Sequence, residues 1–442
     1  MEQYSLHNGT ELENHNPYLA KLSKIIFPLY LFFIFFGTSL PFRERTREIE
    51  SISTSNLATQ IIFGSLFIIS ILLLLFKKQA TVRLIKREKY FFIFLLWCLL
   101  TIVWSENSFV SFKRYIQYLT TVTVPLSFLL YIEDSDESLK YFYYIVGIYV
   151  LVSFAAIFTI PMARNTQGFW RGIHTDKNGF GQISIVLTVF FSMQFVKSDS
   201  LKSKAVDLFF ILASIMLVVG SRSSTALITL LVLLALWIAF YIDKLFNPIG
   251  IRKTISLLIL FFFSSILMII LILYPEILRP VMGIMGKDLT FTGRVDIWNE
   301  IWNEAQKHLF IGAGFRGFWV IDSPSLIEFY QKYIWLPTSS HNGYVDILNE
   351  VGVIGSVLFL LTLINYFVNL TQTKSGQLWK WFVIGAIILN FSESKFISPR
   401  SVTGVMLIFS YLVLFTYLMK EEILETRRDI TNNENLNKNS RF

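Results

Sequence analysis

The chain has 442 residues and a net charge of +8, with 54% apolar and 16% aromatic residues. Charged residues make up only 16% of it, against about 25% in soluble domains, and the mean hydropathy is +0.55. These values exclude an ordinary soluble enzyme. The basic residues form short clusters between apolar runs, which argues against a nucleic-acid-binding face. We therefore expect an all-α polytopic membrane protein.

Apolar stretches close to the roughly 20 residues that span a bilayer core recur along the whole chain. They predict about twelve transmembrane helices, at 24–41, 57–76, 90–104, 115–131, 141–160, 179–196, 206–220, 224–242, 254–274, 342–369, 379–391 and 402–419. The first 24 residues are polar, so we expect no cleavable signal peptide. The lone cysteine, Cys98, lies inside an apolar run and indicates neither a disulfide nor a CxxC-type metal site.

The distribution of Lys and Arg predicts the orientation of the chain. With a cytoplasmic N-terminus, the inner segments hold 22 of them and the short outer loops hold 11, as the positive-inside rule requires. We expect a disordered cytoplasmic tail at 1–23, spans 1 to 9 at 24–274, a large extracytoplasmic loop at 275–340, spans 10 to 12 at 341–420, and a second disordered cytoplasmic tail at 421–442.

The large external loop between spans 9 and 10 is the one extramembrane segment long enough to carry structure of its own. Residues 295–310 place Ile297, Trp298, Ile301 and Trp302 at helical spacing, which predicts an amphipathic helix. A second short helix is expected at 324–335, where Pro324 suits the first turn.

Polar motifs stand out from the apolar background, and the predicted topology puts all of them on the outer face of the membrane. They are WRGIHTDKNGFG at 170–181, GSRSS at 220–224, FTGRVDIW at 291–298, HNGYVDILNEVGVIG at 341–355 and, more weakly, FSESKF at 391–396. This grouping predicts a functional site on one side of the membrane.

Arg222 lies in a hairpin of a few residues between two apolar runs, with serines on both sides. One interpretation is an interfacial arginine that reaches lipid phosphates. The other is an anion site in which a fixed guanidinium binds a lipid-linked phosphate. Arg294 follows a glycine and begins the amphipathic helix, where backbone N–H groups favour an anion; alternatively it is a solvated loop arginine that pairs with Asp296.

His341 stands where the long loop re-enters the membrane, between Ser340 and Asn342. An imidazole titrates near neutral pH and is suited to act as a general base on a hydroxyl, although a lone interfacial histidine can also be incidental. His174 is a second candidate for the base. Its neighbours Asp176 and Lys177 fit equally well with a loop in which these charges pair with one another.

Glu350 and Glu393 are carboxylates at membrane edges, where ionisable residues are usually paired or functional. Either could orient His341 or offset an arginine, and the sequence does not distinguish them. The spacing of His, Cys and carboxylates does not match a common metal site, so we expect a metal-independent site without a cofactor.

Together the motifs resemble the O-antigen ligase and polymerase superfamily. Its members carry an arginine flanked by small residues at a span end, a second arginine near the start of a large external loop, and a His-Asn pair where that loop ends. Arg222, Arg294 and His341-Asn342 match in this order, and the resemblance covers roughly residues 165–400. The motifs look more similar to the O-antigen and exopolysaccharide polymerase branch than to the lipid A-core ligase branch.

The resemblance implies a GT-C-like glycosyltransferase of the bacterial cytoplasmic membrane that acts on an undecaprenyl-diphosphate-linked glycan on the outer face. It implies His341 as the catalytic base and Arg222, Arg294 and Arg171 as ligands of the diphosphate. The residues expected to support them are Asn342, His174, Lys177, Asn178, Glu350 and Glu393. The implied partners are the glycan donor, a glycan acceptor and the bilayer, with a flippase and a chain-length regulator beside them, and no nucleic acid.

Three other functions stay open on the sequence, one of which is a structural partner of a polysaccharide export complex. A ligase of the same fold would transfer the finished glycan to lipid A-core or another acceptor. A transporter of lipid-linked saccharide would carry charged residues near the bilayer midplane and inverted repeats, whereas the charges here lie at one edge and no convincing repeat is present.

Overall fold

The computed structural model describes residues 16–37, 57–132, 136–246, 294–320, 323–327, 338–370 and 376–439. The chain is helical throughout these ranges apart from turns and one isolated β-bridge between Arg164 and Trp170. The helices, in chain order, are α1 (Pro17–Phe36), α2 (Leu57–Phe76), α3 (Lys78–Arg87), α4 (Lys89–Leu100), α5 (Ser108–Tyr131), α6 (Asp136–Thr159), α7 (Lys177–Lys197), α8 (Leu201–Ser221), α9 (Ser224–Phe246), α10 (Arg294–Lys307), α11 (Gly343–Leu370), α12 (Gly376–Leu389) and α13 (Val402–Asn439).

Every expected span that falls on described residues overlaps one of these helices. The expected span at 254–274 lies outside the described residues. Seven helices of the described chain are long and apolar enough to cross a membrane, namely α1, α2, α6, α7, α8, α11 and α13. Shorter apolar helices occur at 89–104, 224–240 and 378–389. The all-helical class is therefore confirmed, while the number of twelve spans and the side of the loop stay predictions.

The helices α5 and α13 lie at the centre of the bundle. The second half of α5 is enclosed by its neighbours, and 94% of the most apolar window of α13 is buried. Aromatic rings join α1, α5, α6 and α13: Phe27 stacks on Phe128 with ring centres 4.1 Å apart, and Phe142 meets Phe409 edge-on at 5.0 Å. Such close packing, rather than burial from water, holds helices together in a bilayer.

Both ends of the helical bundle differ from the prediction. Asn16 caps α1 by accepting a hydrogen bond from the N–H of Tyr18 at 3.0 Å, so this helix starts before residue 24. The disordered tail predicted from residue 421 is wrong as far as Asn439, because α13 continues to that residue. Just before this C-terminal segment, Lys420 Nζ anchors α13 by donating to the carbonyl of Ile132 at 2.6 Å. Residues 1–15 of the predicted N-terminal tail lie outside the described residues.

The long loop before α11 carries the predicted amphipathic helix, which begins at Arg294 and ends at Lys307. It buries Ile297 and Ile301 against Phe318, Trp319 and Leu326. Of the second predicted helix, residues 324–327 are helical and the remainder lies outside the described residues. The loop therefore has a small hydrophobic core of its own, which fixes the start of α10.

The helix α11 is interrupted at Gly352, whose φ is +68° and ψ is −173°. At this break, the segment 309–314 of the long loop packs its backbone against the backbone of α11. Ala313 N–H donates to the Asn349 carbonyl at 2.8 Å, and Val353 N–H donates to the Leu309 carbonyl at 2.9 Å. A Cβ at Gly352 would lie 2.4 Å from the Phe310 carbonyl oxygen. The long loop is thus built into α11 through backbone hydrogen bonds.

Candidate functional site

His341 lies in the turn that leads from the long loop into α11. Its φ is +55°, and its backbone N–H donates to Ser339 Oγ at 3.3 Å. Ser340 Oγ donates to the Asn342 carbonyl at 2.6 Å and accepts from the Asn342 N–H at 3.0 Å. Left-handed backbone costs a non-glycine residue about 1–3 kcal/mol and persists where the surroundings impose it. The two serines before His341 and the backbone of Asn342 after it supply that constraint.

Asn342 caps α11 and also ties this turn to the 391–396 motif. Its Oδ1 accepts from the N–H groups of Tyr344 at 2.9 Å and Val345 at 3.2 Å, and its Nδ2 donates to the Phe391 carbonyl at 3.2 Å. The adjacent Gly343 N–H donates to the Asn390 carbonyl at 2.7 Å. The His-Asn pair and the weak fifth motif are therefore one structural unit.

Asn390, which the sequence reasoning did not select, shapes the 391–396 turn. It is fully buried, and its Oδ1 accepts from the N–H groups of Lys395 at 2.7 Å and Phe396 at 3.0 Å. Its Nδ2 donates to the Ala386 carbonyl at 2.7 Å. An asparagine at the end of a short apolar stretch is the signal that could have identified it, because buried amides need partners.

Arg294 joins the first turn of α10 to the same unit. Its Nη1 donates to the Ser392 carbonyl at 2.9 Å, and its Nη2 lies 3.9 Å from Glu393 Oε1. One turn further on, Trp298 Nε1 donates to the Ser340 carbonyl at 2.8 Å. Burial lowers the pKa of Arg294, and the charge of Glu393 opposes that shift. Glu393 thus offsets the charge of Arg294, and hydrogen bonds join the Arg294 helix, the His341–Asn342 turn and the 391–396 turn.

A second group of polar residues is formed by the 170–181 and 220–224 motifs, which pack on each other. Trp170 N–H donates to the Gly220 carbonyl at 2.9 Å, and a Cβ at Gly220 would lie 2.1 Å from the Trp170 ring. A Cβ at Gly181 would lie 2.8 Å from Ser221 Oγ. The glycines of both motifs are therefore required by close approach.

Arg222 ends α8 in a left-handed conformation with a φ of +46°, and its side chain is exposed. Its guanidinium carbon lies 5.2 Å from the centre of the Phe169 ring. Lys177 Nζ lies 4.3 Å from the centre of the same ring. The structure therefore brings together two of the cationic residues that the sequence selected.

Arg171 and His174 belong to this second group, but their contacts are those of a folded turn. Arg171 Nε donates to the Met162 carbonyl at 2.6 Å and its Nη1 to the Thr175 carbonyl at 3.2 Å. The His174 ring lies 5.7 Å from that of Tyr149, and burial lowers the pKa of His174 to about 4, opposed by Asp176. His174 is therefore neutral at pH 7. Asn178 lies half-buried in the first turn of α7.

A small apolar cluster connects the two groups. It contains Val218 and Ala226, which flank the Arg222 hairpin, and Ile388 and Leu389, which directly precede the Asn390 turn. Both groups therefore rest on the same cluster at the ends of α8, α9 and α12.

Glu350, the other carboxylate expected to support the site, pairs with an arginine that the sequence reasoning missed. Its Oε2 accepts from the Arg316 N–H at 2.8 Å, and its Oε1 lies 3.7 Å from Arg316 Nη1. Arg114 Nη1 donates to the Arg316 carbonyl at 2.5 Å. Glu350 therefore holds the long loop onto α11. Arg316 stands out in the sequence as a lone arginine in the glycine-rich GAGFRGF segment, but that segment does not identify Glu350 as its partner.

Three arginines and one histidine of the described chain have a left-handed backbone. In the described part of the chain, the non-glycine residues with positive φ are Arg222, Arg316, His341 and Arg400. Only a few per cent of non-glycine residues adopt this conformation, and arginine is not among the types enriched in it. The backbone is therefore strained at two of the residues that the sequence assigned to catalysis and anion binding.

The described residues contain no group of three or more His, Cys, Asp or Glu side chains arranged to hold a metal ion. The chemistry available here consists of guanidinium and ammonium groups for an anion and an imidazole for proton transfer.

Comparison with known proteins gives two matches. A family model described as O-Antigen ligase matches residues 208–360, a range that includes Arg222, Arg294 and His341. The exopolysaccharide production protein ExoQ of Rhizobium meliloti (strain 1021) is 22% identical over 338 residues, which cover 73% of this chain and 75% of ExoQ. These matches confirm the resemblance stated from the motifs. With the apolar helices, they indicate a multi-pass membrane enzyme related to O-antigen and exopolysaccharide production.

Proposed function

Since the chain resembles the O-antigen ligase and polymerase superfamily in both motif order and matched sequence, we propose that it polymerises undecaprenyl-diphosphate-linked oligosaccharide repeat units. The reaction takes place on the outer face of the bacterial cytoplasmic membrane. The donor is a lipid-linked glycan and the acceptor is a second lipid-linked repeat unit.

In the proposed reaction, a hydroxyl of the acceptor sugar attacks the anomeric carbon of the donor. The new C–O bond forms as the bond to the diphosphate oxygen breaks, the hydroxyl proton passes to His341, and polyprenyl diphosphate leaves. A single displacement of this kind inverts the anomeric centre. Neither a metal nor a cofactor takes part.

Arg222 and Arg294 are proposed to stabilise the charge that develops on the leaving diphosphate. Preorganised cations near a developing charge lower the barrier because they need little rearrangement during the reaction. Arg171 adds positive charge to the turn beside Arg222, and Asn342 fixes the turn that carries His341. The main support for the proposal is the set of hydrogen bonds that joins the Arg294 helix, the His341 turn and the 391–396 turn.

A ligase reaction is the second candidate, and the description of the matched family favours it. It would use the same donor and the same leaving group with a different acceptor, such as lipid A-core. The name of ExoQ, an exopolysaccharide production protein, favours the polymerase. A transporter of lipid-linked saccharide is less well supported, since the paired cations described above lie at helix ends and in turns.

The purified protein, supplied with defined lipid-linked repeat units and no other acceptor, tests the proposal. A polymerase converts them into a ladder of longer lipid-linked chains. A ligase leaves them unchanged until a second acceptor is added. Absence of glycan transfer with every acceptor would contradict both enzymatic functions.

A further inference from the structure

Phe169 has two cationic partners on one ring. Lys177 Nζ lies 4.3 Å and the Arg222 guanidinium carbon 5.2 Å from the centre of that ring. The sum of the two distances gives an upper limit of about 9.5 Å for the separation between Lys177 Nζ and the Arg222 guanidinium carbon. Cation–π attraction to the ring opposes the repulsion between them.

The backbone around Phe169 fixes the ring in place. Phe169 N–H donates to Asn165 Oδ1 at 2.8 Å, and the Phe169 carbonyl accepts from the Asn165 N–H at 2.9 Å. The next residue, Trp170, packs on Gly220, two residues before Arg222. The turn therefore fixes the backbone that carries the Phe169 ring.

The charges around this ring favour an anion. Within the part of the chain that the structure describes, no carboxylate pairs with Arg222. The nearest acid in sequence, Asp176, is engaged in capping α7, where it accepts from Gly179 N–H at 2.7 Å. Lys177 is the first residue of α7, so the positive end of that helix adds to the two cations.

We propose that Phe169 is a positioning residue which aligns Arg222 and Lys177 into one diphosphate-binding pair. This inference rests on the proposed function, because it assigns the leaving diphosphate to these residues. Arg222 is the ligand expected from the sequence, and Lys177 is its partner because it contacts the same Phe169 ring. Two aligned cations favour a diphosphate over a monophosphate, since each phosphate then has its own cation.

Binding of farnesyl diphosphate to the purified full-length protein in detergent micelles tests the pair, with farnesyl monophosphate as the second ligand. Phe169→Leu keeps apolar bulk and removes the ring. We expect it to weaken diphosphate binding about tenfold and monophosphate binding by less than about threefold, given two lost cation–π contacts. Phe169→Tyr retains the ring and is expected to bind like wild type.

Phe109→Leu is the matched control. Lys113 Nζ also lies 4.3 Å from the centre of the Phe109 ring, in the first turns of α5, so this substitution removes the same kind of contact elsewhere. It is expected to leave both affinities unchanged. Lys177→Gln is expected to reproduce the loss of diphosphate preference seen for Phe169→Leu.

The outcomes separate the inference from the proposed function. Equal diphosphate binding by wild type and Phe169→Leu would overturn the inference, as would an equal loss for both ligands or a failure of Phe169→Tyr to restore binding. If those results came with normal glycan transfer by wild type, the proposed function would stand. If the predicted binding pattern were found but wild type transferred no glycan, the diphosphate-binding pair would be supported and the proposed reaction would be contradicted.

Discussion

His174 shows how the surroundings of one side chain decide its role. By sequence it stood beside His341 as a candidate for proton transfer, but its ring lies among aromatic side chains and its Nε2 is buried without a hydrogen-bond partner in the described chain. Protonation would place a charge in that apolar setting. His174 is therefore a neutral packing residue.

The pKa of His174 is about 4 in the folded protein and about 6.5 in an unfolded chain. Since the folded state binds the proton more weakly, its contribution to stability is present above pH 6.5 and is lost as the pH falls towards 4. Between pH 7 and 5, wild type should lose about 2 kcal/mol of unfolding free energy through His174. The variant His174→Phe should not show this part of the loss. Thermal unfolding at several pH values measures this. Parallel pH profiles for the two proteins would contradict the account.

The residues that form the site were partly predictable from the sequence. Arg222, Arg294 and His341 stood out because polar residues are rare in this chain and occur in short motifs. The partner of Glu350 was not predictable, because Arg316 reaches it from a loop that is 34 residues away in sequence. Pairing of this kind depends on how the loop packs on α11, which no local pattern encodes.

At the level of helices, hydropathy predicted where the apolar helices of the described chain lie, because a bilayer imposes one composition on every helix that crosses it. The number that cross the membrane stays a prediction. It did not predict the break in α11. Gly352 in the sequence looks like a residue for close helix packing, whereas the structure uses it to admit the segment 309–314. Hydrogen bonds between two backbones leave no residue pattern other than the glycine itself.

The break in α11 predicts a large difference between two glycine substitutions. At Gly352 a Cβ would lie 2.4 Å from a backbone oxygen at positive φ, where neither side can yield. Gly352→Ala should destabilise the protein by about 3 kcal/mol or more. At Gly64, inside α2, a Cβ would meet no atom within 4 Å, so Gly64→Ala should be neutral or stabilising by about 0.5–1 kcal/mol.

Chemical denaturation of the two purified variants in the same detergent compares them directly. Similar midpoints for Gly352→Ala and wild type would mean that the loop does not occupy the break in α11. A large loss for Gly64→Ala would show that glycine substitutions in this protein cannot be interpreted locally.

For the whole molecule, orientation in the membrane is the prediction on which the location of the site depends. The charge count puts both termini in the cytoplasm and the loops at 160–178 and 275–340 outside. The native cysteine, Cys98, is fully buried, so engineered cysteines can be labelled against a low background. Thr166→Cys and Gln79→Cys place exposed thiols on opposite predicted sides.

In intact cells, or spheroplasts if an outer barrier is present, a membrane-impermeant thiol reagent should label Thr166→Cys. It should label Gln79→Cys only after the membrane is permeabilised. The reverse pattern would move the Arg222 and His341 groups to the cytoplasmic side, where an externally displayed lipid-linked glycan could not reach them.

The central claim is that His341 and the arginines around it transfer a glycan from a lipid diphosphate. It is tested most directly by the chain-extension assay with wild type, His341→Ala and Arg222→Ala, purified in equal amounts and checked for the same thermal stability. The account predicts a ladder of longer lipid-linked chains from wild type and a loss of most of that product from each variant, because one lacks the base and the other a cation at the leaving group. Full-length polymer from either variant would contradict it.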